Sequence, residues 1–313
     1  HGAQRALVLA LLQLLAERER PKLDEESVRP LLLLVEEPEI YLHPEMCRKM
    51  RDTLLRIARS GTAQVICTTH SPVFLDLADR HDGIVIIRKT GTVRTVTQRN
   101  EDIFGEQARE QRDRLRMILN FDPSANEAFF TGNAVLVEGD SEVAAVDAIA
   151  EKLIGGGEIV RDAYLIHRRQ LTLINCRGKQ TILAFQDVLD AFGISYRVVH
   201  DRDDPASGVS RLVNEKISGR MKGEASRILI HTPDFEQELF GESWTTDKPW
   251  RTVKAVRQMP SVGLPVRGFF EFVLRCRIHE LAHSHRVAPR GIVASARTMQ
   301  RKRRERLKVL DLR

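Results

Sequence analysis

The sequence predicts an α/β protein built on parallel sheet and followed by a helical, basic C-terminal region. Short apolar segments typical of buried strands recur along the chain, and helical segments of ~10–15 residues separate them, which is the pattern of a parallel sheet. The 313 residues, of which 42% are hydrophobic, allow about two domains with cores of their own. No apolar run approaches the ~18–20 residues of a membrane span, so we expect no membrane partner.

The first part of the chain contains one strand–helix–strand series and one hairpin. The unbroken apolar run at 31–35 predicts a buried parallel strand. The other predicted elements in order are a helix within 2–20, an amphipathic helix at 45–60, a strand at 63–69, a hairpin of 83–88 with 92–98, and a charged helical connector at 99–131 that breaks at Asp122-Pro123.

A second alternating series of strands and helices follows the connector. Its apolar strands predict another parallel sheet, and the chain from 241 onward is helical and basic. The predicted strands are 133–138, 171–176, 196–201 and 227–232, and the predicted helices are 141–153 and 181–192.

Charge is distributed unevenly along the chain. Residues 241–313 contain 17 basic and 6 acidic side chains, whereas the rest contains 32 basic and 37 acidic ones. This favours a polyanionic partner such as nucleic acid, and a solvated helix face is the alternative. The four cysteines are widely spaced and form no CxxC pair, so we expect a reducing, cytoplasmic location.

Two carboxylates follow the first apolar strand, where nucleotide chemistry often takes place. Acidic residues at the carboxyl end of such a strand hold Mg²⁺ and orient a water at a nucleotide γ-phosphate. We assign Glu36 to the metal and Glu37 to the water. His70 follows the next strand at the same sheet edge, within reach of the same phosphate.

Three strings carry a resemblance to the second half of an ABC-type ATPase head: Glu36-Glu37-Pro38-Glu39, Tyr41-Leu42-His43-Pro44 and Thr69-His70-Ser71-Pro72. The resemblance implies that 31–37 is the Walker B strand, 38–44 the D-loop and His70 the switch histidine. Gly2 and Gln4 resemble part of the signature motif, whose helix start faces the partner subunit's γ-phosphate. Glu36 stands where Asp is commoner in that family.

The phosphate-binding loop of such an ATPase is not found in this sequence. No GxxxxGK[ST] string is present, and the nearest one, at 177–181, lacks the upstream glycine and the Ser or Thr after its lysine. We therefore expect that loop to lie upstream of His1, and ATP to be a cofactor of the full-length protein.

A second set of carboxylates follows the strands of the second series. Glu138 ends one strand and Glu142 lies in the next helical turn, while Asp201 and Asp203 end the strand at 196–201. Carboxylates that meet at one sheet edge repel each other unless cations lie among them, and oxygen ligands suit Mg²⁺ or Mn²⁺. Glu236 is our choice for a further ligand, with Glu238 nearly equal.

The order strand-Glu-Gly-x-x-Glu and then strand-Asp-x-Asp resembles the Toprim domain of topoisomerases, primases and certain nucleases. An ABC-type head that runs directly into a Toprim domain resembles the overcoming-lysogenization-defect (OLD) family of ATP-driven nucleases. The implied domains are a partial ATPase lobe at 1–98, the connector at 99–131, a Rossmann-like Toprim domain at 132–240 and a basic helical region at 241–313.

The OLD resemblance implies a DNA endonuclease that uses two metal ions and that pairs as a homodimer in the full-length protein. A lysine near the scissile phosphate would stabilise the transition state, and arginines would grip DNA. The implied metal ligands are Glu138, Glu142, Asp201, Asp203 and Glu236, the candidate lysines are Lys248, Lys302 and Lys308, and the candidate DNA-binding arginines are Arg301, Arg303 and Arg304.

Other functions remain open at this point. A topoisomerase needs a catalytic tyrosine on a separate domain, and the only tyrosines are Tyr41, Tyr164 and Tyr196. A primase is chemically possible, but no zinc-binding Cys/His module is visible. A non-catalytic Toprim scaffold that binds DNA beside an ATPase clamp is the remaining alternative, although a scaffold has no need of four clustered carboxylates.

We predict that the 313-residue chain alone does not hydrolyse ATP, because it lacks a phosphate-binding loop. Phosphate release at saturating ATP and Mg²⁺ is the measurement, and Glu37→Gln is the control variant. ATP hydrolysis above background that disappears in Glu37→Gln contradicts the prediction.

Overall fold

A computed structural model of the chain describes residues 7–14 apart from 9 and 13, 31–59, 63–104, 108–203 and 208–282. The chain divides into two compact units. The first contains 1–84, 99–132 and 184–194, and the second contains 85–98, 133–183 and 195–313. The domain bounds expected from the sequence stay a prediction.

The first unit is organised around two parallel strands. Strand β1 (Leu31–Glu36) pairs in parallel with β2 (Ala63–Thr68), and helix α1 (Pro44–Arg59) connects them. The apolar positions of α1 recur at helical spacing, so one face packs against the strands. The buried residues of this small core are Leu12, Met50, Leu54, Ile57 and Ala63.

The connector in the first unit is helical and ends in a short irregular stretch. Helix α2 (Ala108–Phe121) is followed by a 3₁₀ turn (Pro123–Glu127) and helix α3 (Ala128–Thr131). Proline cannot continue the ladder of α2, and the Asp122 side chain caps the new turn by accepting a hydrogen bond from the Ser124 amide at 3.1 Å. The break expected at Asp122-Pro123 is therefore confirmed.

The second unit contains an all-parallel sheet of four strands in the order β6–β5–β7–β8. Its central strands are buried on both faces, as expected for a sheet covered by helices. The strands are β5 (Asn133–Val137), β6 (Thr172–Asn175), β7 (Ser195–Asp201) and β8 (Ile228–His231). The hairpin β3 (Val85–Thr90) with β4 (Val93–Gln98) also belongs to this unit and is antiparallel.

Helices surround this sheet and connect its strands. They are α4 (Asp140–Gly155), α5 (Arg161–Arg168), α6 (Lys179–Ala191), α7 (Gly208–Arg220), α8 (Phe235–Phe240), α9 (Lys248–Gln258), α10 (Leu264–Leu274) and α11 (Ile278–Leu281). Helix α5 has no counterpart among the helices expected from the sequence, because its eight residues are fewer than the stretch over which a helical period is recognised.

The core of the second unit joins the sheet to the helices after residue 241. Val135, Val137 and Val199 on the strands form one cluster with Phe269 and Phe270 on α10. The C-terminal helices therefore complete the hydrophobic core of the sheet, and Phe269 and Phe270 lie at its centre.

The predicted fold class is confirmed: the protein is α/β, with parallel sheet and helices after residue 241. None of the helices in the described ranges combines the length and the apolar character that crossing a bilayer requires.

Truncation of Phe269 tests the role of α10 in the core. Its ring is 1% exposed and lies 5.1 Å from the ring centroid of Phe235. We expect Phe269→Ala to lower the free energy of unfolding by about 3–5 kcal/mol, measured by urea denaturation. Leu264→Ala, at an 83% exposed position of the same helix, is the control and should change stability by no more than about 0.5 kcal/mol. Equal effects of both variants contradict this packing.

Candidate active site

The carboxyl ends of β5 and β7 form the centre of the candidate site. The chain leaves β5 toward β6 on one side and later returns to β7 on the other, so the strand order reverses between β5 and β7. Ligands of open α/β sheets bind outside the strand ends at such a point. Glu138 follows β5 there and Asp201 ends β7, and the Asp201 amide donates a hydrogen bond to Oε2 of Glu138 at 3.0 Å.

Glu142 reaches the same place from the first turn of α4. Gly139 precedes this helix, and its amide donates to Oε2 of Glu142 at 3.2 Å, which turns the carboxylate back toward the strand end. The side chain is 3% exposed. The sequence spacing of Glu138 and Glu142 therefore brings both carboxylates to one edge.

Glu236 enters from the element after β8. Its residue exposure is 2%, Ser141 Oγ donates to Oε1 at 2.8 Å, and the Lys248 ammonium lies 2.9 Å from Oε2. The neighbouring Glu238 instead accepts a hydrogen bond from the Thr232 amide at 2.6 Å. This geometry supports the choice of Glu236 over Glu238.

Asp203 lies two residues past Asp201 but in a different environment. Its φ is 58°, its amide donates to the Pro233 carbonyl at 2.8 Å, and its carboxylate pairs with the ammonium of Lys179. The extended alternation that would point Asp203 the same way as Asp201 has ended at this residue. Asp203 influences the site through its charge and does not line the cleft.

A cleft of about 340 Å³ opens in front of these side chains. Its walls contain acidic, amide and basic groups. The charged residues that line it include Glu138, Glu142, Asp201, Glu236, Arg177 and Lys248.

Burial and mutual repulsion raise the pKa values of the carboxyl groups in this cleft. Burial, followed by the charges of Glu142, Glu138 and Glu236, raises the pKa of Asp201 to about 8. Burial raises the pKa of Glu142 to about 7, with Glu138 and Glu236 adding to it. Burial also raises the pKa of Glu138. The site therefore favours bound protons or cations.

One oxygen in particular fits a divalent cation. Asp201 Oδ1 is buried and accepts no hydrogen bond from any described residue. A buried carboxylate oxygen without a donor is unfavourable, and coordination to a hard cation would satisfy it. Within the described ranges, no group of three or more His, Cys, Asp or Glu side chains is already arranged to hold a metal ion. Side-chain rotation is therefore needed before several carboxylates bind one ion.

Two lysines provide positive charge at this edge. Partial burial lowers the pKa of Lys248, but its hydrogen bond to Glu236 and the charge of that carboxylate outweigh burial, so the net pKa is raised. Lys179 is 8% exposed beside Asp203. Sequence reasoning did not select Lys179, although its place just after β6 at the same sheet edge is a usable signal.

The turn after β6 brings this second lysine close. Arg177 has a φ of 51° and Gly178 a φ of 120°. Residues other than glycine rarely adopt the second of these conformations. The Gly178 amide donates to the Glu138 carbonyl at 2.8 Å, which joins this turn to the end of β5. Helix α6 then begins at Lys179.

The candidate nucleotide residues lie in the first unit. His70 Nε2 lies 3.3 Å from Glu37 Oε1, so the structure brings these two predicted residues together. Glu39 joins them: its Oε1 accepts hydrogen bonds from the His70 amide at 2.7 Å and from Thr69 Oγ1 at 2.8 Å. Sequence reasoning placed Glu39 in the D-loop but gave it no role. Glu36 is exposed at the end of β1.

Several predicted site residues lie outside the described residues. These are Gly2, Gln4, Arg301, Lys302, Arg303, Arg304 and Lys308. Of the three lysines proposed near the scissile phosphate, Lys248 lies within the described residues and lines the cleft.

Two regions of the chain match models of known families. Residues 1–75 match an AAA ATPase domain, and residues 129–203 match the TOPRIM domain of overcoming lysogenization defect protein-like proteins. The protein is therefore one in which an ATPase region is followed by a Toprim domain. The finer assignment of the ATPase region to the ABC type stays a prediction.

Two curated relatives are both OLD nucleases. The chain is 28% identical over 255 residues to the OLD nuclease of Thermus scotoductus, covering 77% of this chain and 46% of that protein. It is 25% identical over 206 residues to the Old nuclease of Escherichia phage P2, covering 65% of this chain and 33% of that protein. The chain thus spans less than half the length of either relative. Together with the Toprim match, these likenesses support the resemblance to OLD nucleases that the sequence motifs predicted.

The raised pKa values give a pH dependence of stability in metal-free buffer. A carboxyl whose pKa is raised by folding contributes stability below its ordinary pKa, and loses it as the pH rises through the folded value. We therefore expect the free energy of unfolding to fall between pH 6.5 and pH 8, on the order of 2 kcal/mol. In Asp201→Asn, which mimics the protonated side chain, the fall should be smaller.

Urea denaturation in EDTA at the two pH values measures this difference. Burial lowers the pKa of His200 to about 4 and also lowers that of His231, and both histidines are present in parent and variant alike. An identical pH dependence in the parent and in Asp201→Asn contradicts the crowding of charges described here.

Proposed function

We propose that this chain carries the nuclease centre of an OLD-type protein and hydrolyses phosphodiester bonds of DNA. The observation that carries the proposal is the group of buried carboxylates at the carboxyl ends of β5 and β7, with Asp201 Oδ1 lacking a hydrogen-bond donor among the described residues. The Toprim match and the two OLD nucleases support the same reaction class.

The proposed cofactor is a pair of divalent cations, Mg²⁺ or Mn²⁺. Glu138, Glu142, Asp201 and Glu236 would hold them, and Asp203 would add negative charge close by. All four proposed ligands are carboxylates, and oxygen donors suit hard cations better than zinc. When bound, such ions polarise the scissile phosphate and the attacking water.

The chain's own residues prepare the cleft for this chemistry. The Asp201 amide holds Glu138 in place, and Ser141 holds Glu236. Lys248 Nζ, on the wall of the same cleft, is the cation that we propose to stabilise the negative charge of the transition state. Lys179 positions Asp203 through their ion pair.

The tyrosines support hydrolysis over covalent strand transfer. Tyr164 is 4% exposed and its hydroxyl donates to Asp147 Oδ1 at 2.7 Å, while Tyr196 is 1% exposed within β7. Neither hydroxyl is presented to a DNA strand, and Tyr41 lies in the first unit. The proposed reaction therefore uses water as the nucleophile.

In the full-length protein, we propose that Glu36, Glu37 and His70 contribute to an ATP site that regulates DNA cleavage and that pairs two copies. The contact of His70 with Glu37 supports this proposal, because the imidazole lies 3.3 Å from the proposed water-orienting carboxylate.

Cleavage of supercoiled plasmid tests the nuclease proposal. We expect cleavage with millimolar Mg²⁺ or Mn²⁺ and none in EDTA. Glu138→Gln and Asp201→Asn should each reduce the cleavage rate by about a hundredfold or more, since each removes a proposed metal ligand. Glu215→Gln, which neutralises an exposed carboxylate on α7, is the matched control and should cleave at the parent rate.

Lys248 gives a second, separable measurement. We expect Lys248→Met to slow cleavage about tenfold to a hundredfold without weakening Mn²⁺ binding in a calorimetric titration, because it stabilises charge and binds no metal. Parent-like cleavage by Glu138→Gln and Asp201→Asn would falsify the site. Parent-like cleavage by Lys248→Met would exclude only the proposed role of Lys248 in the transition state. DNA binding without metal-dependent cleavage in the parent favours the scaffold alternative.

A further inference from the structure

A second cavity lies at the opposite edge of the Toprim sheet. It has a volume of about 640 Å³ and is lined by residues from the start of β7, the turn before β8 and the end of α10. Arg197, which lines it, lies four residues before Asp201 on β7, a separation of about 13 Å along the strand. This cavity is therefore separate from the carboxylate cleft.

Arg197 is a buried cation without a carboxylate partner. It is 7% exposed, and no described Asp or Glu lies within ion-pair distance of its guanidinium. One nitrogen, Nη1, donates to the Phe272 carbonyl at 2.5 Å near the C-terminal end of α10. The other, Nη2, is buried and donates to no described residue. An unpaired buried guanidinium is costly unless a ligand completes it.

Like charges increase this cost. Burial, followed by the charges of Arg275 and Arg227, lowers the pKa of Arg197 to about 10. Both neighbours line the same cavity. Arg227 is fixed there, because its Nε donates to the Tyr196 carbonyl at 2.9 Å and its guanidinium lies 4.8 Å from the Tyr196 ring centroid.

The carboxylates of the cavity wall already have other partners. Glu224 pairs with Arg227 at 3.2 Å, and Glu271 pairs with Arg277 at 2.9 Å. Glu280 accepts a hydrogen bond from Cys276 Sγ at 3.2 Å. Within the described ranges, neither Arg197 nor Arg275 is in an ion pair with any of these three acids.

We propose that this cavity binds a terminal phosphoryl group, held by Arg197 and Arg275. A guanidinium donates two parallel hydrogen bonds to phosphate oxygens, and a phosphate that carries two charges balances the cluster of arginines better than a single carboxylate does. The volume lies in the range of ordinary small-ligand sites. Gly268 on the wall leaves open space where a side chain would stand.

Pyrophosphate in EDTA is the first probe, since the absence of divalent cations keeps the carboxylate cleft out of the measurement. We expect saturable binding by calorimetry and a rise in the melting temperature of the parent chain. Arg275→Gln, at an exposed position that should not affect folding, should weaken binding about tenfold or more. Arg211→Gln removes an exposed arginine from α7 and should bind as the parent does.

Arg197→Met gives the sharpest outcome. We expect it to lose saturable pyrophosphate binding and to melt at a higher temperature than the parent in phosphate-free buffer, because an apolar side chain replaces an unpaired buried charge. If this variant does not fold, Arg275→Gln decides. Absence of saturable binding in the parent, or parent-like binding by Arg275→Gln, overturns the proposal.

The source of the phosphoryl group is separated by two further probes. A short oligonucleotide with a 5′-phosphate is compared with the same oligonucleotide without it, and both with a free nucleoside monophosphate. Binding that needs the 5′-phosphate of the oligonucleotide indicates a DNA end, whereas equal binding by the monophosphate indicates a free nucleotide. Either kind of binding supports the site if Arg275→Gln abolishes it. If the parent binds neither the oligonucleotide nor the monophosphate more tightly than Arg275→Gln does, the proposal is contradicted.

Discussion

The contact between Glu138 and the Asp201 amide is the interaction on which the candidate active site depends. It joins the carboxyl ends of β5 and β7, where the strand order of the sheet reverses. Parallel pairing sets the two strand ends level, so the carboxylates that follow them must lie close together. The raised pKa values of Asp201, Glu142 and Glu138 are the direct consequence of that closeness and of burial.

The protein compensates this crowding with its own cations. Lys248 and Ser141 contact Glu236, Lys179 contacts Asp203, and two backbone amides donate to Glu138 and Glu142. These contacts offset part of the repulsion and leave Asp201 Oδ1 buried without a donor among the described residues. Cation binding then requires the carboxylates to exchange these partners for an ion, which links metal affinity to the strength of the lysine contacts.

Much of the fold and part of the site could be predicted from the sequence. The apolar strands and the acids that end them identified both parallel sheets and the edge shared by Glu138, Glu142 and Asp201, because strand character is read locally and parallel strands end at the same sheet edge. Asp203 behaves differently because its left-handed φ of 58° ends the extended alternation. The position of Lys179 after β6 could be read from the sequence, but its burial and its ion pair with Asp203 could not, because they depend on elements distant in the chain.

The sequence by itself determined the α/β class, the order of the strands along the chain, and which carboxylates end them, since these follow from side-chain polarity and spacing. The tertiary structure alone decided three other features. It brought Glu236, and not Glu238, beside Ser141 and Lys248, placed Lys179 beside Asp203, and left Arg197 buried without a carboxylate partner among the described residues. The physical reason is that burial and pairing of charge depend on which elements pack together, and contacts such as that of Arg197 with the Phe272 carbonyl join residues far apart in the chain.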